Sequence, residues 1–253
     1  MSLKIGFTEA GDGGRDLSWL PKCLSRKVNG AVIVTKTLTD ECINAVMECH
    51  KNSFPIIVHA TTTGWGGTLI EPGVWHFTVQ LNQIAKLIDA GFPIQNVILR
   101  IDPIWPTDNG LTHVKQVIER AVFMGILPAA RIRISVLDEY RHVKERIRKA
   151  GFEPIYGPDR FQPNPEEFAA VKKALSEYDL KYYTCAEPLL NSEKFCHTGC
   201  LSKLDLQLMG LSYDKTFKNP QNRHGCECLG CKTELLSCKH PCASKCIYCY
   251  WKN

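Results

Sequence analysis

Thirteen cysteines occur in this chain of 253 residues, and ten of them fall from position 185 onward: Cys185, Cys196, Cys200, Cys226, Cys228, Cys231, Cys238, Cys242, Cys246 and Cys249. Thiolates are soft ligands, suited to zinc and to iron–sulfur clusters. In a reducing compartment so dense a set reads as metal-binding rather than as a disulfide framework, and the odd total leaves a thiol over in any all-disulfide scheme. The spacing near the end is Cys226-x-Cys228-x2-Cys231-x6-Cys238-x3-Cys242-x3-Cys246-x2-Cys249. Two Cys-x2-Cys pairs, Cys228/Cys231 and Cys246/Cys249, have the separation of a structural zinc knot. The ten thiols also suffice for iron–sulfur clusters. A closed four-iron cluster takes four and one with an open iron takes three, so they could divide as four, three and three.

A second set of chemical residues closes apolar runs. Lys36 ends AVIVTK, His59 lies in PIIVHA, Arg100 and Asp102 alternate in NVILRID, Asp138 ends RISVLD and Glu187 ends TCAE. A buried ammonium is costly and usually paired or functional, which singles out Lys36. Arg100 and Asp102 share a strand face, where they either pair with each other or meet a substrate. His59 is either a hydrogen-bonded core residue or a proton-transfer group. Such cations suit a carboxylate or phosphate, and the carboxylates suit an amine or a proton transfer.

The elements that must position these groups alternate in type. Expected strands are Lys4–Thr8, Ala31–Thr37, Pro55–Thr61, Asn96–Asp102, Arg131–Val136, Glu153–Tyr156 and Lys181–Cys185, several of them the near-continuous apolar runs of strands buried on both faces. Helical spacing marks VWHFTVQLNQIAKLIDAG, LTHVKQVIERAVFMG, RHVKERIRKAG and NPEEFAAVKKALSEYD, with a short helix at Leu201–Met209. Gly91, Gly125 and Gly151 stand where helices should stop, and Asn164, Pro165 and Glu167 read as a helix start. This alternation predicts parallel strands with crossover helices: an α/β fold, a TIM-like parallel barrel, incomplete or irregular, rather than an open doubly wound sheet. The polar groups above would then sit at the C-terminal ends of the strands, where such barrels carry chemistry.

The barrel should occupy residues 1–188. The cysteine-rich, iron–sulfur-binding segment 189–253 has too few aliphatics for its own core and must dock on the barrel, be held by metal, or both. Gly66 and Gly67 in TTTGWGGT, and GDGGR at positions 11–15, are either tight loops or cradles for a ligand.

Composition narrows the setting. With 44% hydrophobic and 23% charged residues and a net charge of +5, the chain is not of the disordered or collagenous kind. No apolar run approaches the roughly 18 residues of a membrane span, and MSLKIGFTEA is not a signal segment, so a cytoplasmic protein with no membrane partner is expected. A basic stretch, Arg131, Arg133, Arg141, Lys144, Arg146, Arg148 and Lys149, reads first as a solvated helix face and second as phosphate contacts. No hydride-cofactor motif or hydrolytic triad is apparent.

The terminal PCASKCIYCYW, with Tyr248 before its last cysteine, resembles the cluster motif of radical S-adenosylmethionine (SAM) enzymes. There three thiolates hold a 4Fe-4S cluster whose fourth iron is open to SAM. Taken with VTKT, RIDPIW, SVLDEY, TCAEP, CLSKLD and NRHGCEC, the chain from residue 30 onward resembles an uncharacterised domain-of-unknown-function family whose C-terminal cysteine cluster mimics that of radical SAM enzymes. The resemblance implies a TIM-like barrel, a cluster on Cys242, Cys246 and Cys249, and Tyr248, Gly66 and Gly67 near a cofactor. SAM itself is left open. Cys231 stands where the family pattern has serine, and Cys196 and Cys238 look additional, so more than one cluster is conceivable.

The expected activity is a radical or Lewis-acid rearrangement, an isomerisation, of a small polar or nucleotide-linked substrate, conceivably a modified base in DNA, with an electron donor as partner. The alternatives are a zinc-knot module binding nucleic acid or protein without catalysis, and an electron-transfer iron–sulfur protein.

Overall fold

Eight short strands carry the architecture: β1 (Ile5–Phe7), β2 (Gly30–Thr35), β3 (Ile56–Thr61), β4 (Val97–Ile104), β5 (Arg131–Val136), β6 (Tyr182–Thr184), β7 (Phe195–His197) and β8 (Lys232–Glu234). The structure, a computed structural model, describes residues 3–212, 225–236 and 241–251. All neighbouring strands are parallel, in the order β7-β6-β5-β4-β3-β2-β1-β8. Seven strands therefore follow one another in chain order, and the last to be made lies outside the first. The sheet is not closed: β7 and β8 are its edges.

Among the described residues seven α-helices complete the α/β pattern: α1 (Leu20–Leu24), α2 (Asp40–Lys51), α3 (Phe77–Asp89), α4 (Asp108–Phe123), α5 (Arg141–Lys149), α6 (Pro165–Ser176) and α7 (Lys203–Leu208). Gly91, Gly125 and Gly151 follow α3, α4 and α5 with positive φ, as expected of helix stops. Asn164 and Glu167 form a reciprocal capping box at the start of α6. No described helix is long and apolar enough to cross a membrane.

Alternation along the strands separates two cores. Ala31, Ile33, Ile56, Val58, Val97, Leu99, Ile132 and Ile134 face α2, α3, α4 and α6 through Val46, Ile84, Val117 and Val171. The opposite face gathers Ile5, Phe7, Val32, Ile57 and Ile98 with Cys185, Cys200, Cys228, Leu206 and Met209. Cys185, Cys200, Cys228 and Cys231 therefore belong to the face turned away from most of the helices, whereas Cys23, Cys42 and Cys49 are buried in the helix-facing core.

Six of the seven expected strands are present. Glu153–Tyr156 is not a strand: the Ile155 and Tyr156 amides donate to the buried Glu139 carboxylate at 2.8 and 2.9 Å, which takes them out of any ladder. β7 and β8, each of three residues within the cysteine-rich segment, were not expected and join the same sheet. The basic stretch is also dispersed. Arg131 and Arg133 lie on β5 and pair with the fully buried Asp205 at 2.7 and 3.4 Å, while the Lys144 ammonium is held by the carbonyls of Gly157, Pro158 and Arg160. Arg141, Arg148 and Lys149 keep the solvated positions.

Candidate functional site

Residues 241–251 lie against the loops that follow β1 and β3. Ser244 Oγ donates to Asp12 Oδ2 at 3.0 Å, the Ile247 amide to Ile70 O at 3.1 Å, and the Trp251 indole N–H to Glu9 O at 3.0 Å. GDGGR is a tight loop serving this docking. Asp12 Oδ1 accepts from the Gly14 amide and the Thr35 hydroxyl, which leaves Oδ2 to face Ser244.

At the centre of the docked segment lies a residue that sequence reasoning missed. Glu71 is buried, 1% exposed, and its carboxylate accepts from Lys36 Nζ at 2.8 Å, from Thr63 Oγ1 at 2.7 Å and from the Tyr248 hydroxyl in a short bond. Lys36 also lies 5.2 Å from the Tyr248 ring centroid. Burial works against the Lys36 ammonium, but the Glu71 carboxylate and Cys246 beside it outweigh that and raise its pKa. Burial pushes the Cys246 thiol up to about 12, against the pull of Lys36, and pushes Cys249 up as well. Burial likewise holds Tyr248 well above the usual phenol range. The two thiols would release their protons on binding a metal.

Glu71 sits in a non-periodic loop, so only its approach was legible. Gly66 bridges to Glu71, the Gly67 amide donates to Glu71 O at 3.2 Å, and a side chain on Gly66 would run into the Trp75 carbonyl. Both glycines thus close the loop that delivers Glu71.

The remaining candidates divide by accessibility. Arg100 and Asp102 pair with each other at 18% and 23% side-chain exposure, and Asp102 O lies 3.5 Å from Lys36 Nζ. These groups remain reachable from solvent. His59 is 1% exposed, with Nε2 3.4 Å from Arg133; burial, then the charges of Arg133, Arg100, Arg131 and Lys232, hold it well below the usual imidazole pKa. Glu187, 4% exposed, accepts from Ser135 Oγ at 2.8 Å and the Val136 amide at 3.0 Å, tying the chain after β6 to β5. Asp138 is half-buried just past the end of β5.

Among the described residues one set of thiols is gathered closely enough to share a metal ion. Cys185, Cys226 and Cys228 have sulfurs all within 4.8 Å of one another, and Cys200 Sγ lies 2.9 Å from Cys185 Sγ. Cys228 Sγ also accepts from the Cys200 amide at 3.1 Å. The neighbouring thiols Cys185, Cys200 and Cys226 all hydrogen-bond to Cys228 and drive its pKa down, while hydrogen bonds with Cys200, Cys226 and Cys228 raise that of Cys185. A quartet of this composition could hold a soft metal ion.

Cys228 is thus grouped with Cys185, Cys200 and Cys226 rather than with Cys231, whose buried thiol lies outside the quartet and whose carbonyl accepts from the Ile5 amide at 2.8 Å. Cys196 lies within β7 opposite Tyr183. Cys242, Cys246 and Cys249 are not drawn within 4.8 Å of one another. Cys238 lies outside the described residues.

A family model described as "Domain of unknown function (DUF1848)" matches residues 21–251. The match takes in the sheet from α1 onward and the docked terminal segment. No curated protein matches the chain.

Proposed function

The chain belongs to this family of unknown function, and from its geometry we propose an iron–sulfur enzyme on a TIM-like scaffold, with a 4Fe-4S cluster on Cys242, Cys246 and Cys249. The observation that carries the reading is the docking of the terminal segment beside Lys36: Cys246 and Tyr248 come to the loop-bearing ends of β2 and β3, where parallel α/β proteins carry their chemistry.

The donor set fits the group. Three thiols from one short loop supply three soft ligands, and their sulfurs, not gathered within 4.8 Å of one another, suit several irons better than one ion. When bound, such a cluster supplies an electron or Lewis acidity to whatever occupies its open iron.

The chain's own residues supply the rest. Lys36, 17% exposed, binds a carboxylate or phosphate of the substrate and is held in place by Glu71. Glu71 also fixes Tyr248 and, through it, the cluster loop. Arg100 and Asp102, reachable and close to Lys36, orient a second polar group. His59 and Glu187 are sealed from solvent and maintain the scaffold. This arrangement suits a small polar or nucleotide-linked substrate undergoing rearrangement. The dispersal of the basic stretch favours such a molecule over a DNA duplex.

Anaerobic reconstitution tests the reading. Wild type should take up about four irons with sulfide at this site. Cys246→Ala should lose them while retaining the far-ultraviolet circular dichroism of the folded chain. A change in the spectrum of the reduced cluster on adding SAM, with release of 5′-deoxyadenosine, assigns SAM to the open iron. A change on adding carboxylate or phosphate compounds alone assigns the substrate. Full iron content in Cys246→Ala would overturn the proposal.

A further inference from the structure

The thiol quartet takes no part in the strand-end chemistry above. We propose that Cys185, Cys200, Cys226 and Cys228 form a second, closed metal site, which takes one tetrahedral thiophilic ion of the zinc type and fastens β7 to β8. This goes beyond the strand-end reading and stands without it.

Spacing identifies the ion. Four thiolates about 2.3 Å from one tetrahedral ion lie about 3.8 Å from each other. Cys185, Cys226 and Cys228 are already gathered within 4.8 Å of one another, and Cys200, outside that triplet, lies 2.9 Å from Cys185 and has only to close on the others. A four-iron cube puts an iron behind each thiolate and needs its sulfurs farther apart than one shared ion does. Four protein thiolates around one zinc leave no open position, as in structural sites.

Topology gives the site its work. Cys185 follows β6 directly, Cys200 follows β7, and Cys226 and Cys228 lead into β8. They therefore converge on the seam between the sheet's two edge strands. Only one backbone bond is seen between the segments next to the seam, Leu229 N–H to Leu201 O at 3.1 Å, among the described residues. The approach is close: a side chain at Gly199 would stand 2.5 Å from Cys228 Cα and 2.6 Å from its nitrogen. Phe7, Leu201, Leu206 and Met209 pack with the buried Cys185, Cys200 and Cys228, and Cys226 is half-buried beside them.

The surroundings accept the negative charge of four thiolates on one divalent ion. Arg133 donates to the Cys200 carbonyl at 2.5 Å, and together with Arg131 it faces the single carboxylate of Asp205. Lys232, the first residue of β8 and next after Cys231, is paired with Glu9 at 2.8 Å and lies close enough to Cys200 and Cys228 to interact with both. Buried charge of this kind is tolerable when it is so paired.

The test uses the full chain with the terminal triplet removed, Cys242→Ala/Cys246→Ala/Cys249→Ala, so that its metal content reports on the seam alone. Elemental analysis after aerobic purification should find about one zinc per chain and no iron. Adding Cys185→Ser or Cys228→Ser should lower the zinc at least tenfold, whereas Cys231→Ser should leave it in place. Because a lost ligand can also unfold the chain, a second measurement needs no change at the seam. The chelator-stripped triple variant, titrated with cobalt(II), should saturate at one ion with the intense absorption of tetrahedral thiolate coordination. Iron with sulfide in place of zinc, a weak octahedral cobalt spectrum, or equal zinc loss in Cys231→Ser would overturn the proposal. Failure of the terminal cluster would show instead as absent iron in reconstituted wild type, with seam zinc unchanged.

Discussion

Tyr248→Phe removes one hydroxyl and keeps the ring, which packs edge-on to Trp105 with centroids 6.4 Å apart. The lost bond joins a buried phenol to a buried carboxylate. A hydrogen bond to a charged group contributes about 1.5–3 kcal/mol, because an unpaired buried acceptor must otherwise go without its partner. In this chain the bond fastens residues 241–251 to Glu71, and the same segment sends the Ile247 amide to Ile70 O. Opening of the segment exposes that amide. When reclosing outpaces exchange, a loss of 1.5–3 kcal/mol should speed the exchange of Ile247 by roughly 10- to 150-fold. Hydrogen exchange on the metal-free chain at neutral pH measures this, with Leu99, in the middle of β4, as the internal control. Leu99 should be unchanged. Equal exchange of Ile247 in both chains would refute the role given to Tyr248, and equal acceleration at Leu99 would show general destabilisation instead.

Other outcomes follow from the same geometry. His59 has a folded-state pKa well below its unfolded value, so its contribution to stability is complete above about pH 6.5 and is lost as pH falls below it, at up to about 1.4 kcal/mol per pH unit. Urea denaturation from pH 7 downward should show that slope, and His59→Leu should flatten it; an unchanged slope would contradict the assignment. Asp205→Asn leaves Arg131 and Arg133 without a carboxylate and should cost about 3–5 kcal/mol, whereas a loss below about 1 kcal/mol would contradict a buried pair. Combined with Arg133→Met the losses should be less than additive. Gly66→Ala should cost about 1–3 kcal/mol in thermal unfolding by driving the Glu71 loop off the Trp75 carbonyl, and wild-type stability would show that the loop yields freely.

Local pattern announced the body of the sheet, because strands such as Ile56–Thr61 and Val97–Ile104 are apolar runs and their helices end at positive-φ glycines. It failed where a side chain or a distant strand decides the outcome. Glu139 captures the amides that would have made Glu153–Tyr156 a strand. Phe195–His197 and Lys232–Glu234 are too short to have a period, and each becomes a strand through its neighbour. Arg131 and Arg133 read as part of a basic surface because their counter-charge, Asp205, lies more than seventy positions away. The cysteines read as candidate metal ligands by type, and Cys185, Cys226 and Cys228 are gathered as such a group could be. Their grouping was not legible, since Cys185 and Cys200 follow β6 and β7 at one end of the strand order, Cys226 and Cys228 precede β8 at the other, and they meet only in the tertiary fold.

The placement of β8 outside β1 has a consequence for the order of events in a growing chain. Until Lys232–Glu234 has been made, β1 offers a bare edge, and the Glu9 and Ala10 amides lack the Glu234 carboxylate that accepts from both at 3.0 Å, 225 and 224 positions later. A sheet assembled from β1 to β7 can nucleate early, but its outer edge waits for the last strand. The same strand carries the chain from the thiols at the seam to those of the terminal segment. The placing of the thiols is thereby tied to completion of the sheet: Cys226 and Cys228 lead into this strand, and Cys242, Cys246 and Cys249 follow it.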